Sequence, residues 1–170
     1  MISIYSTAEV SSKAKIGENS KIWHHAQIRE NAIIGENCII GKGVYIDKSV
    51  KIGNNCKIQN YSCIYHGVIL EDGVFIGPGV KILNDKFPRA ISPDGKLKND
   101  SGWTEGKILI KKGASIGAGV IILPDVTVGE FALVGAGSVV TKNIPPYSLA
   151  YGNPAKIVGE VDRSGKVINK

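Results

Sequence analysis

The sequence predicts an all-β fold, a parallel β-helix in which the chain winds as a triangular prism, and three observations predict it. From Val10, every sixth residue is large and aliphatic through Ile16, Ile22, Ile28, Ile34, Ile40, Ile46, Ile52, Ile58, Ile64, Leu70, Ile76 and Ile82. Two positions before each of these sits a compact residue, among them Ala14, Ser20, Ala26, Cys38, Val50 and Cys56. The composition sets 21 glycines against 6% aromatics, which suits a turn-dense repeat with an interior too narrow for rings. A period of six fits neither a helix of about 3.6 residues per turn nor one alternating strand. It fits a chain whose every six-residue segment forms one flat side, with three sides to a coil of 18 residues. Successive coils then pair as parallel strands roughly 4.8 Å apart, as in other solenoids.

Taken in order, residues 1–9 are expected to lead into the first side and cap an open end whose unpaired edge would invite aggregation. The repeat runs unbroken to Ile82, and the next expected aliphatic position is Pro88. Residues 83–107 carry Pro88, Pro93, Gly95, Gly102 and mixed charges without periodicity, so they read as an inserted loop. Insertions of this length inside a compact domain are commonly functional. The six-step returns at Ile110, Ile116, Ile122, Val128, Val134 and Val140, giving about six coils in one domain over residues 1–170. Pro145-Pro146 and Asn153-Pro154 are expected to end the prism, and residues 158–168 read as a short C-terminal hairpin around Asp162-Arg163-Ser164-Gly165.

A net charge of +6, with lysines alternating with glutamates, describes a solvated surface rather than a nucleic-acid footprint. The sequence also shows neither a signal-peptide pattern nor a membrane-spanning run, so a cytoplasmic protein is the expectation. Three cysteines do not make a disulfide framework; Cys38 and Cys56, 18 residues apart, share one slot on adjacent coils and read as reduced core thiols.

The aliphatic-Gly pairs Ile16-Gly17, Ile34-Gly35, Ile52-Gly53, Ile76-Gly77 and Ile116-Gly117, with the tail Val139-Val140-Thr141-Lys142-Asn143-Ile144-Pro145-Pro146 and Gly152-Asn153-Pro154-Ala155-Lys156, resemble the hexapeptide-repeat acyltransferases. That resemblance implies a left-handed parallel β-helix, acetyl-CoA as co-substrate and a homotrimer with sites between subunits. A narrower likeness rests on Ile22-Trp23-His24, Lys57-Ile58-Gln59-Asn60, Leu70-Glu71-Asp72-Gly73 and Asn84-Asp85-Lys86-Phe87-Pro88-Arg89. These stretches are similar to the N-acetyltransferases of nucleotide-linked 3-amino sugars. Position 66, commonly acidic there, is histidine here. The likeness implies substrate contacts at Gln59, Asn60, Glu71, Asp72, Asp85 and Arg89. Of these, Arg89 has the planar fork that suits a phosphate.

The 18-residue period sorts outward positions into columns. Glu30, Lys48, His66 and Asn84 form one, so His66 and Asn84 are expected one coil apart beside the loop's root. Acyl transfer to an amine needs a proton acceptor and an oriented nitrogen, and a histidine beside an amide supplies both, which makes His66 and Asn84 the catalytic candidates. Gly117-Ala118-Gly119 and Gly135-Ala136-Gly137 form a second strip with no bulky side chains, against which an extended pantetheine arm could lie. Lys142 and Lys156 are expected where coenzyme A places its phosphates, with Asn153 and Pro154 beside them through the family tail. Direct attack by the amine is expected, since Cys38 and Cys56 face inward and a neutral amine needs no covalent relay.

Other readings of the prism are an acetyltransferase of serine, a xenobiotic or a 4-amino sugar, and a carbonic-anhydrase-like metalloprotein. The last needs three convergent histidines. His24, His25 and His66 are all the chain has, and His24 and His25 are adjacent, so no metal site is expected. A flat ice-binding or scaffold face is disfavoured by only four threonines and by the insertion.

Overall fold

The structure, a computed structural model, describes residues 1–99 and 102–169. Asp100 and Ser101 of the inserted loop and Lys170 of the tail lie outside the described residues. The described chain is all-β and forms three sheets that are the faces of a triangular prism. The first face stacks strands such as Lys21–Ile22, Ile39–Ile40, Lys57–Ile58 and Phe75–Ile76. The second stacks Gln27–Ile28, Tyr45–Ile46, Cys63–Ile64 and Lys81–Ile82, and the third Ile33–Ile34, Lys51–Ile52 and Val68–Leu70. Parallel partners are 18 residues apart, except across the insertion, where Ile82 meets Ile122 and Leu70 meets Ile110, and at the C-terminal end of the prism.

Both periodic positions point inward. Ile22, Ile40, Ile58, Ile76, Ile116 and Val134 are fully buried, as are their compact partners Ser20, Cys38, Cys56, Ala114 and Ala132. Each buried isoleucine stabilises by roughly 1.5–3 kcal/mol, so this column supplies the cohesion of the fold. The compact slot lies against a turn carbonyl, which explains why it takes hydroxyls and thiols. Ser20 Oγ donates to Gly35 O at 2.8 Å, Ser62 Oγ to Gly77 O at 2.8 Å, Cys38 Sγ to Gly53 O at 3.1 Å and Cys56 Sγ to Glu71 O at 3.2 Å. Buried polar groups are thereby satisfied rather than stranded. The cysteines are free, and hydrogen bonding with Cys38 together with burial pushes the Cys56 thiol up.

The corners repeat with the same period. The third residue after most of the aliphatic ones has positive φ, Asn19, Asn31, Asn37, Gly43, Asn55, Gly67, Gly73, Gly79, Gly113, Gly119, Asp125 and Gly137 among them; Lys13, Asp85 at the loop root and Asn143 at the shortened corner do not. Asn, Asp and Gly tolerate this left-handed geometry, and it turns the chain from one face to the next.

Three expectations need correction. The prism is longer than six coils, since the first face holds eight inward positions from Ile4 to Ala150. Residues 1–9 already belong to the first coil rather than forming a separate cap, with Ser3–Ile4 on the first face, and Ile4 on the open end is half-exposed. At the other end Pro145-Pro146 does not stop the winding. Ile144 pairs with Val128 and Ala150 with Val134, each 16 residues on, because one corner is two residues shorter. Thr127 N donates to Asn143 Oδ1 there, and the strict six-step misses the rung. The tail then folds back as Ser148–Gly152, Ala155–Val161 and Val167–Asn169, an antiparallel extension of the first face.

The insertion leaves the prism between the second and third faces. Its ends pair with each other: Asp85 bridges Glu105, Lys86 N donates to Thr104 O at 3.0 Å and Gly106 N to Asn84 O at 2.7 Å. Farther out, Ile91 bridges Leu97 around a turn in which Ser92 N donates to Lys96 O. The loop is therefore a finger on a two-stranded stem, with Phe87, Ile91 and Leu97 exposed.

Candidate active site

The corner between the second and third faces gathers most of the polar chemistry. His66 and Asn84 sit one above the other, and Asn84 Nδ2 donates to His66 O at 3.0 Å. Among the described residues the second amide hydrogen and the Oδ1 of Asn84 make no other hydrogen bond and are left for a ligand. Because the loop stem starts at Asn84 and returns at Gly106, it carries Glu105 back over this corner. Glu105 Oε1 lies 2.5 Å from His66 Nδ1, with both side chains about two-thirds buried. The two atoms are buried and as they stand make no hydrogen bond among the described residues, so the carboxylate is the polar neighbour toward which a proton on Nδ1 would turn, and that proton would leave Nε2 as the acceptor. Asp47 holds the other side of the histidine, its Oδ2 accepting from His66 N at 3.2 Å while Oδ1 accepts from Tyr45 OH at 3.0 Å and Lys48 N at 2.8 Å.

Two hollows flank His66. One, of about 240 Å³, is walled by Arg29, Tyr45, Asp47, Lys48 and Trp103. The other, of about 260 Å³, is lined by Ser49, Lys51, Ile69, Glu105 and Lys107. Arg29 is tied to Glu30 at 2.9 Å and reaches Tyr45 OH at 3.4 Å, so the first hollow has a cationic rim and an aromatic wall. Asp85 lies at the same corner and accepts from Phe87 N at 3.0 Å. Arg89 is exposed on the finger, its Nη1 donating to Pro88 O.

The remaining candidates occupy other corners. Gln59 and Asn60 line a hollow of about 500 Å³ with Trp23, His24, Ile39, Gly41 and Lys42, between the first and second faces. Asn60 Oδ1 accepts from Lys42 N at 2.9 Å. Glu71 and Asp72 sit at the third corner and are spent on neighbouring coils: Glu71 Oε2 accepts from Lys112 N at 2.8 Å and Asp72 Oδ1 from Asn54 N at 2.7 Å. The strip divides in two. Gly117 and Gly135 are needed for packing, since a Cβ there would lie 2.5 Å from Ala136 N and 2.8 Å from Tyr151 Cβ. Gly119 and Gly137 face open space, with Ala118 and Ala136 exposed beside them. Gly152 N donates to Ser138 Oγ at 3.1 Å, which brings the Asn153-Pro154 turn to the strip's end, while Lys156 pairs across from Tyr151. Lys142 is at the other edge of the second face, in the column of His66 and Asn84. One face thus separates the strip from the histidine corner.

Residues 13–48, 49–84 and 107–142 match the bacterial transferase hexapeptide (six repeats) family, well over half of the chain. The chain belongs to this family. Over 56 residues it is 61% identical to a dTDP-3-amino-3,6-dideoxy-alpha-D-galactopyranose 3-N-acetyltransferase of Aneurinibacillus thermoaerophilus, covering 33% of this chain and 29% of the relative. The match takes in about a third of the length of that relative and of the staphylococcal acetyltransferases that align next. Among solved structures, PerB from Caulobacter crescentus, in complex with CoA and GDP-perosamine, shares 25% identity at a TM-score of 0.50, covering 93% of this chain and 57% of PerB. AntD, an N-acyltransferase from Bacillus cereus in complex with dTDP and 3-hydroxybutyryl-CoA, shares the fold at a TM-score of 0.63 and 20% identity, covering 96% and 81%.

For this hexapeptide transferase, the residue that sequence reasoning missed is Glu105. It falls in the aperiodic insertion, 39 positions from His66, and no period links the two. Trp103 lies in the same insertion, and its place on the wall beside His66 follows from the stem pairing. Arg29, one residue past its aliphatic anchor, reads in the sequence as solvated surface.

Proposed function

We propose that the protein is an acetyl-CoA-dependent N-acetyltransferase acting on the amine of a nucleotide-linked amino sugar, of the 3-amino-deoxyhexose or 3-amino-uronate type. The observation that carries this reading is the His66–Glu105 pair at the root of the finger, one coil from the unspent Oδ1 of Asn84. The partial identity to a sugar 3-N-acetyltransferase and the nucleotide sugar bound by PerB support the acceptor class.

In this reading, Asn84 Oδ1 accepts a hydrogen bond from the substrate amine and turns its lone pair toward the acetyl carbonyl. His66 Nε2 takes the amine proton as the C–N bond forms and the C–S bond breaks, and Glu105 stabilises the resulting imidazolium, as a carboxylate does in a triad. No acyl-enzyme forms. Cys38 and Cys56 are buried, and Cys63 on the second face would only add a step to what a neutral amine does unaided. Acetyl-CoA lies along Gly119 and Gly137, where backbone is open, with Lys156 toward its phosphates; Lys142, in the His66 column one face away, lies off that path. Arg89 on the exposed finger contacts nucleotide phosphate. Ile33 and Ile69, exposed on the third face, pack in a closed homotrimer whose sites lie between subunits.

The test is CoA release by purified protein with acetyl-CoA and a panel of nucleotide-linked 3- and 4-amino sugars, with free serine as a control. Turnover of a 3-amino sugar is expected. Turnover of serine alone would replace the acceptor class, and a monomeric mass by light scattering would remove the trimer.

A further inference from the structure

The finger reaches the candidate site only if its stem stays closed, and a short exposed two-stranded ribbon is marginal without further support. Asp125 supplies that support. It stands at φ 64 on the next coil of the same corner, where the left-handed positions of other coils are Asn31, Ser49 and Gly67. Its Oδ1 accepts from Lys107 N at 3.1 Å, and its Oδ2 pairs with Lys86 Nζ. Lys86 directly follows Asp85 on the outgoing strand of the stem, and Lys107 comes two residues after Glu105 on the returning one. A single carboxylate therefore grips both strands.

From the opposite side the corner is shaped to admit Glu105. Gly67 has φ 83, and a Cβ there would lie 2.5 Å from Glu105 Oε1 and 2.9 Å from Gly106 O. Gly106 in turn packs on Pro124, the neighbour of Asp125. Glu105 is thus confined between the backbone of Gly67 and the coil that bears Asp125, with His66 Nδ1 as its polar neighbour at 2.5 Å.

We propose that Asp125 is a positioning residue, a staple across the stem of the inserted finger that sets Glu105 against His66. The proposal rests on the reading of His66 and Glu105 as the proton-handling pair. It assigns Asp125 no contact with substrate.

Asp125→Gly is the decisive variant, because glycine keeps the left-handed backbone and removes only the staple. Asp125→Asn, which retains an acceptor for Lys107 N, should fall between it and the parent. The first readout is the ¹⁵N spectrum of histidine-labelled protein without substrate. Loss of the Nδ1–H tautomer of His66 is expected in Asp125→Gly, as in Glu105→Ala. The second is kinetic: kcat should drop at least about tenfold, in line with other carboxylates that orient a histidine, while KM for acetyl-CoA stays within about twofold. The double variant Asp125→Gly/Glu105→Ala should be no slower than Glu105→Ala alone. An unchanged His66 ring signal in Asp125→Gly, or additive losses in the double variant, would overturn the staple. Because the spectrum needs no turnover, a tautomer change in a protein that acetylates no sugar would uphold the staple and reject the proposed reaction instead.

Discussion

At the corner between the first and second faces, Gly117, Ala118 and Gly119 recur one coil later as Gly135, Ala136 and Gly137; at the corner between the second and third, His66 and Asn84 are followed by Pro124 and Lys142. Both corners follow one hexapeptide rule, with an inward aliphatic residue and a turn, and with a left-handed third residue except in the first coil, where the loop leaves at Asp85 and where the corner shortens at Asn143. The first has been stripped to backbone, leaving an open edge on which an extended ligand can lie. The second has been loaded with side chains that bond to one another and has taken in a finger of chain. A repeat fixes the interior of every coil and leaves each corner free to be bare or furnished. That freedom lets one scaffold carry a bare backbone edge and a cluster of polar side chains one face apart.

The comparison is broken most severely at the furnished corner. His66→Ala should lower kcat by about 100- to 10,000-fold at saturating acetyl-CoA, the usual loss for a positioned base. A loss below about threefold would leave the direct mechanism but remove His66 as its base. At the bare corner, Ala136→Phe should abolish acetyl-CoA binding in calorimetry while thermal unfolding stays close to the parent's, because Ala136 is exposed.

A smaller effect separates the two kinds of glycine within the strip. Gly117→Ala puts a Cβ 2.5 Å from Ala136 N and should cost about 1–3 kcal/mol by overpacking, on the scale of strained cores. Gly119→Ala meets no atom within 4 Å and should cost only the backbone penalty of its positive φ, of order 1 kcal/mol. Denaturant midpoints of the two variants should differ in that order, and equal midpoints would mean the first glycine is not a packing residue. Arg89→Ala should raise KM for the nucleotide sugar and spare acetyl-CoA; equal damage to both would point to a misplaced finger.

The smallest expected effect is on pH. Lys86 beside it, then the Lys107 amide, hold the Asp125 carboxyl below its ordinary value. A carboxyl depressed in the folded state contributes its stabilisation above the unfolded value of about 3.9, and that contribution fades as pH falls below it. Susceptibility of the finger to pepsin should therefore rise below about pH 4. In Asp125→Asn that added dependence should be absent.

Legibility in the sequence divided along the same line. Wherever six residues made one side, the interior was readable to the residue, from Ile16 to Val140, and the column that stacks Asn84 over His66 followed from the period alone. Ile144 escapes the count because a corner two residues shorter breaks it, whereas Ile4, six residues before Val10, lies on the period. The handedness of the coil rested on family likeness, since periodicity is the same for either hand. By itself, then, the sequence determined a prism, its core and the corner from which the finger leaves, because hydrophobic burial is local and repeats. Only the tertiary structure decided that Glu105 meets His66, that Asp125 grips both strands of the stem, and that Gly117 packs while Gly119 stays open. Those contacts join residues that share no period, and they form only once the finger has folded back onto the stacked coils.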